Sequence, residues 1–500
     1  MTEPITQRGS SKRSIPCGEP DYSVLKSEQR SARLATGILC ILHGMDWLIA
    51  MLLVLPAAYF YAAGSSWLID YLVWVTVLNR GIRRVVDWMA GSFNAFSPIS
   101  LTPLVISGFV FLIVLKNYRT LPGYLQRIIR FFGAALAIGF AVGLVQNQLA
   151  AVYSLAEYVA PLSIMGCAAI AKGNERILDR WIKSVGWAAV AVSLYGWYQY
   201  YTIPPWDAFW VKSVGFEGYL GRLRPTEMTV FSTMSERGVL AGFLAFAVIP
   251  MMISKRWRNV TGWGAVGLII ATILLTYVRT AIITIGLATI MFPVLNRGKN
   301  TIQIIVMLCL AAFAGSYVLQ KTPSSGKVGE RMQSIGSITE DGSFKGRIQI
   351  ASYGVGALAR NPLGMGLGST GLAGRVNTGV MDAGGVIGDN GYFEVLLSFG
   401  VFGGGCFFYA FFLIWKQVRV FEKLGIRSES LMVFKALFVT GAVALFAGNW
   451  LAGPGSVVFC VFAGFSVYPK PAMDRVTRAA EERRLRKKSG AAGQLPAENS

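Results

Sequence analysis

Apolar residues in this chain follow neither the alternation of a strand nor the single face of an amphipathic helix; they come in long blocks. A bilayer core about 30 Å thick asks for about 20 mostly apolar residues per helix, and about twelve blocks meet that requirement. They lie near 36–62, 98–115, 131–146, 151–171, 184–202, 238–254, 260–277, 280–295, 301–319, 392–415, 431–448 and 457–468. The pattern predicts an all-α polytopic membrane protein with about 12 transmembrane helices. One stretch departs from it. Residues 67–78, WLIDYLVWVTVL, are apolar but short, carry Asp70 and run into Arg80, Arg83 and Arg84. This piece reads as interfacial or re-entrant; a full crossing would shift the early topology and place the N-terminal tail outside.

Composition supports the membrane reading, with 54% apolar residues and 15% charged ones among 500. A net charge of +21 raises the question of nucleic acid. The basic residues, however, sit in short loops and in the two tails, which is the positive-inside pattern and calls for no nucleic-acid partner. Lys116, Arg119, Arg127 and Arg130 share one loop; Lys172, Arg176, Arg180 and Lys183 the next; then Lys255, Arg256 and Arg258; then Arg297 and Lys299; and Lys416, Arg419, Lys423 and Arg427. If the spans alternate, all face the cytoplasm, and so do both tails. The expected organisation is a disordered cytoplasmic tail over 1–34, transmembrane helices over 35–319 with an external loop at 203–237, a large periplasmic loop over 320–391, further transmembrane helices over 392–468 and a basic cytoplasmic tail over 469–500. The first block has some thirty polar residues before it and no small-residue cleavage site, so it reads as a retained anchor.

Short basic loops on one face leave two substantial segments, 203–237 and 320–391, on the other, and chemistry is expected there. The six cysteines have no paired spacing, and His43 is the single histidine, so no histidine-based metal site and no cofactor are expected. Arginines are the notable residues. The apolar run 260–295 would make a helix of about 54 Å, too long for one crossing, so a hinge is predicted near Arg279, which then lies at the membrane edge. Arg222 and Arg224 in GRLRPTEMTVF, Arg237 at the entrance to the next span and Arg347 in FKGRIQIASYG join it on that face. Guanidinium forks match phosphate oxygens bidentately, so an anionic lipid headgroup such as a pyrophosphate is one reading. Ion pairing with Glu227 or Glu236 is the other, and Arg279 alone would also suit a snorkelling anchor. The glycine-rich run NPLGMGLGSTGLAG lacks the Lys-Ser/Thr ending of a nucleotide loop; it serves tight turns beside a substrate, or caps short helices.

Four segments in order, RPTEMTVFSTMSERGVLAGFLAFAVIPM, TYVRTAIITIGLA, GRIQIASYGVGALARNPLGMGLGSTG and DNGYFEVLLSFGVFGGG, carry a family likeness across roughly residues 220 to 415. There the chain resembles the O-antigen ligase and O-antigen or exopolysaccharide polymerase (Wzy-type) family of membrane glycosyltransferases. The resemblance implies a GT-C-like fold in a bacterial inner membrane. It also implies transfer of a glycan from a polyprenyl-pyrophosphate-linked oligosaccharide to an acceptor sugar hydroxyl on the periplasmic face, without metal or cofactor. Arg222, Arg224, Arg279 and Arg347 would hold the pyrophosphate, while Asp389, with Asn390, would serve the acceptor; Glu227, Glu236 and Arg237 would be acid/base or ion-pair residues. Membrane lipid, a chain-length regulator and export proteins would be its partners. Asp389 stands where ligases carry histidine, which favours a polymerase over a ligase, and Asp389 and Asn390 also suit a helix N-cap. A flippase of lipid-linked sugar is a third reading, against which stands the scarcity of charge in the spans.

Overall fold

The computed structural model describes residues 45–94, 97–217, 219–234, 236–258, 262–296, 352, 354–371, 374, 390–426 and 428–468. Apart from an isolated bridge between Gly221 and Met228, the regular structure among them is helical. The helices are α1 (Met45–Ala62), α2 (Trp67–Ala90), α3 (Thr102–Asn117), α4 (Gly123–Asn147), α5 (Leu149–Ile170), α6 (Glu175–Thr202), α7 (Pro205–Val214), α8 (Arg237–Ile253), α9 (Lys255–Arg258), α10 (Gly262–Leu275), α11 (Arg279–Asn296), α12 (Gly391–Lys423), α13 (Glu429–Ala444) and α14 (Gly455–Val467). Among the described residues, six stretches are long and apolar enough to cross a membrane: α1, α3 with its flanking turns, α4, α5, α12, and α13 with the turn after it. Helices α8, α10, α11 and α14 are apolar but shorter. The expected periplasmic loop at 320–391, the expected span at 301–319 and both tails fall largely or wholly outside the described residues.

Contacts between helix ends define two levels. At one, Arg256 bridges Glu175 at 2.9 Å and Asp179 at 2.6 Å, joining α9, just past the end of α8, to the start of α6. Tyr124 Oη donates to Val467 O at 2.6 Å and stands edge-on to Phe421, gathering α4, α14 and α12. Lys435, buried in α13, donates to Glu422 at 2.9 Å and to Leu295 O at 3.0 Å. These are the helix ends that carry the basic loops, and we call this the basic end. At the opposite, far end, Val230 N donates to the carbonyl of Leu275 at 3.2 Å, and Asn449 donates to Tyr158 and Glu394.

Helix α2 corrects the reading of 67–78 as an interfacial piece. That stretch is the first half of a 24-residue helix, about 36 Å long at 1.5 Å per residue. It runs alongside α6 from one level to the other. At the basic end Asp70 pairs with Arg180 at 2.9 Å and Trp181 Nε1 donates to Ser66 O at 3.2 Å. At the far end Arg84 pairs with Asp207 of α7 at 2.7 Å and donates to Ser232 O. The charges that made this segment look like a surface piece are instead matched inside the bundle: Arg83 pairs with Asp87 at 3.3 Å and stacks on Phe93. Helix α1 accordingly begins at the far end, where Asp46 accepts from Asn94 at 2.9 Å, whereas α14 finishes at the basic end.

The predicted hinge near Arg279 is present. Helix α10 stops at Leu275, Tyr277 turns the backbone at φ 55°, and Arg279 starts α11.

The glycine-rich run performs a different task from a simple cap. Helix α12 is broken at Gly400, with φ 71° and ψ 177°. The break removes the helical bond that Val401 N would give to Leu397 O, and both groups find partners in the run: Val401 N donates to Pro362 O at 2.8 Å and Met365 N to Leu397 O at 2.7 Å. On its other side the run is fastened to α4, where Leu367 N donates to Gly139 O at 2.9 Å and Asn147 Nδ2 reaches the carbonyls of Met365 and Leu367, each at 2.9 Å. Close approach explains the composition. A Cβ on Gly366 would strike the backbone of Gly143, and one on Gly400 the carbonyl of Leu363.

Two outcomes follow from these contacts. Asp207→Ala leaves Arg84 buried without its countercharge and should destabilise the fold by about 3–5 kcal/mol, read as a lowered thermal midpoint in detergent. Arg222→Ala, which removes an exposed pair of 4.0 Å, should leave the midpoint nearly unchanged. Gly400→Ala should cost at least about 1–2 kcal/mol from the left-handed backbone alone, while Gly405→Ala, on the same helix with open space around it, should be neutral or slightly stabilising in the same assay.

Candidate functional site

Helix α5 carries Tyr153, Glu157 and Tyr158 on an otherwise largely apolar span. Its sequence, LAAVYSLAEYVAPLSIMGCAAI, is apolar except for a few positions, and the i, i+4 spacing puts Tyr153 and Glu157 on one face. That face borders a cavity of about 80 Å³ between α2, α3 and α5. Arg80, one turn before Arg84, enters it from α2, and Met234, Gly453 and Ser456 complete the wall. Glu157 accepts a hydrogen bond from Tyr153 and faces the Arg80 guanidinium.

The neighbouring residue, Tyr158, points the other way into a second polar cluster. Its hydroxyl accepts from Asn449 Nδ2 at 2.7 Å, and the same amide donates to Glu394 Oε1 at 3.0 Å. Glu394 is buried one turn into α12. Thr370 of the glycine-rich run and Ser398 of α12 share a hydrogen bond of 2.8 Å beside it. The connection between α13 and α14 thus faces both clusters, through Asn449 on one and Gly453 on the other.

The segment 203–236 folds over the far end around a small apolar cluster of Trp210, Val211, Leu220, Met228 and Phe231. Asp207, within this segment and buried, accepts from Gln199 at 2.6 Å and Tyr195 at 2.9 Å as well as pairing with Arg84. Burial pushes its carboxyl above the ordinary carboxylate range, and Arg84, Gln199 and Tyr195 pull against that shift.

The residues singled out in the sequence are distributed as follows. Arg222 and Arg224 are exposed on one turn of this segment, with Arg222 4.0 Å from Glu227. Glu236 occupies the N-cap position of α8 without a side-chain cap bond, and Arg237 begins that helix, its guanidinium 4.4 Å from the Tyr219 ring. Arg279, half-buried, opens α11, four residues after the end of α10, which the Val230–Leu275 hydrogen bond joins to the same segment. Asn390 is the N-cap of α12, its Oδ1 accepting from Tyr392 N at 3.1 Å and Phe393 N at 3.3 Å. Arg347 and Asp389 lie outside the described residues. Sequence reasoning passed over Tyr153, Glu157, Tyr158, Glu394 and Asn449. A signal existed for the two glutamates, since an acid within an apolar span is a functional candidate by default; the tyrosines and Asn449 are found only through their long-range partners.

No curated protein matches this chain. A family match does exist, over residues 264–408, to the model described as O-Antigen ligase (Wzy_C). The matched stretch begins in α10, contains Arg279, the glycine-rich run, Asn390 and Glu394, and ends beyond the break in α12. It overlaps the last three of the four segments on which the likeness was read. The chain therefore carries, at residues 264–408, a domain of the O-antigen ligase family.

Proposed function

We propose that the protein is a polysaccharide polymerase that transfers a glycan from a polyprenyl-pyrophosphate carrier to an acceptor sugar hydroxyl. The observation that carries this reading is the family domain at 264–408, whose Glu394 joins the polar cluster at the far end. By the positive-inside rule the basic end faces the cytoplasm, which puts the far end on the periplasmic face, where lipid-linked glycans are joined. Arg222, Arg224 and Arg279, with Arg347, are the groups proposed to hold the pyrophosphate and to stabilise charge that grows on it as the anomeric bond breaks. The transfer itself needs no nucleotide sugar.

A ligase that passes finished chains to a different acceptor is the second reading, favoured by the description of the matched family. The aspartate at 389, where the resemblance leads one to expect histidine in a ligase, favours the polymerase.

The glycan that builds up on the carrier lipid in cells lacking this protein separates the two. Single repeat units on the carrier are expected for a lost polymerase; full-length chains stranded there would assign the ligase reading instead. For the pyrophosphate site, Arg279→Lys keeps the charge and removes the bidentate fork, so transfer by the purified protein should fall by roughly tenfold or more, the equivalent of one charge-assisted hydrogen bond. A rate equal to wild type would leave Arg279 as an anchor at the membrane edge.

A further inference from the structure

The cavity between α2, α3 and α5 holds a carboxylate that packing does not require. Apart from Arg80, Tyr153 and Glu157, its wall is largely apolar or weakly polar, including Leu72, Leu104, Pro161 and Ile164. A glutamate in such a wall is retained at a free-energy cost and stays where a countercharge stands beside it, as Arg80 does. A purely structural tie between α2 and α5 would be served as well or better by apolar side chains of similar volume. Helix α2 already has its ties, through Asp70 at one end and Arg84 at the other.

The position of the cavity supplies the second half of the argument. Ala452, Gly453 and Pro454 line it, and Asn449, three residues earlier in that connection, binds Glu394 of the family domain. The cavity and the family domain are therefore neighbours across one short connection at the far end. Tyr153, Glu157 and Arg80 all line this space.

We propose that Glu157 is the proton acceptor of the transfer reaction, an inference that rests on the glycosyl-transfer reading above. In the step, Glu157 takes the proton of the acceptor sugar hydroxyl as that oxygen forms its bond to the anomeric carbon of the donor glycan. The bond from the anomeric carbon to the carrier breaks, and its electron pair leaves on the pyrophosphate oxygen. Arg80 supplies the countercharge of the carboxylate before the proton arrives.

The test uses the full chain in lipid vesicles and, as donor and acceptor, the polyprenyl-pyrophosphate-linked repeat unit extracted from cells lacking the protein. Glu157→Gln should lower turnover roughly 100-fold or more, with the half-saturating donor concentration little changed, and Glu157→Asp should recover part of the rate. The double variant Arg80→Met with Glu157→Met should keep the wild-type thermal midpoint yet remain inactive. The proposal is overturned if Glu157→Gln turns over within a few-fold of wild type, if its loss lies wholly in donor binding, if the double variant is active, or if it is inactive only because it has unfolded. Asp389→Asn run beside these variants assigns the proton to Asp389 if it alone abolishes transfer. A wild-type protein that transfers nothing from this donor refutes the glycosyl-transfer reading, and this inference with it, which is a different result from an active wild type with an active Glu157→Gln.

Discussion

A backbone amide that loses its helical partner inside an apolar bundle has no water to turn to, and the far half of this protein is arranged around one such loss. The break at Gly400 frees the amide of Val401 and the carbonyl of Leu397, and the glycine-rich run takes both. The same run is also fastened to α4, through Gly139 and Asn147. Small residues are needed on every surface of this joint, because backbone meets backbone at Gly143, Gly366 and Gly400. Phe399, next to the break, fills the space beside Gly139 and packs edge-on to Tyr158 at 5.0 Å. What would be a defect in a straight helix thereby fixes the distance between α12, which carries Glu394, and α5, which carries Tyr158.

Charge within the bundle follows a second rule, that the ties between helices are ion pairs across elements, while Arg83 and Asp87 pair along α2. Asp70 finds Arg180, Arg84 finds Asp207, and Glu422 finds Lys435. Pairs of this kind contribute little to stability compared with apolar packing, yet removal of one member is costly, so they hold register more than they hold energy. The polar clusters around Glu157 and Glu394 likewise join separate elements, and they border a cavity and a connection between helices.

Much of this was legible from the chain. The apolar blocks between 98 and 296 and between 391 and 467 coincide with helices to within a few residues, except that α4 and α6 begin earlier and α12 ends later, since length and hydropathy dominate in a bilayer. The hinge before Arg279 followed from length alone. Helix α2 was misread because Arg80, Arg83 and Arg84 look like loop charges until their partners are known, and those partners are distant: Ser232 stands 148 residues from Arg84. The second polar cluster was hidden for the same reason, with Asn449 and Tyr158 291 residues apart. Local periodicity reports which face is apolar; it carries no information on which polar group will meet another across the bundle.

The distance in sequence between the partners of α2 has a consequence for synthesis. The chain emerges at about 5–20 residues per second, and Arg180 follows Asp70 by 110 residues while Ser232 follows Arg84 by 148. For several seconds or longer, therefore, a nascent helix with Asp70, Arg80, Arg83, Arg84 and Asp87 exists before α6 and α7 have been made. Such a helix is a poor candidate to enter lipid alone, so its final placement waits on the later helices, and the order in which this bundle assembles differs from the order in which it is translated.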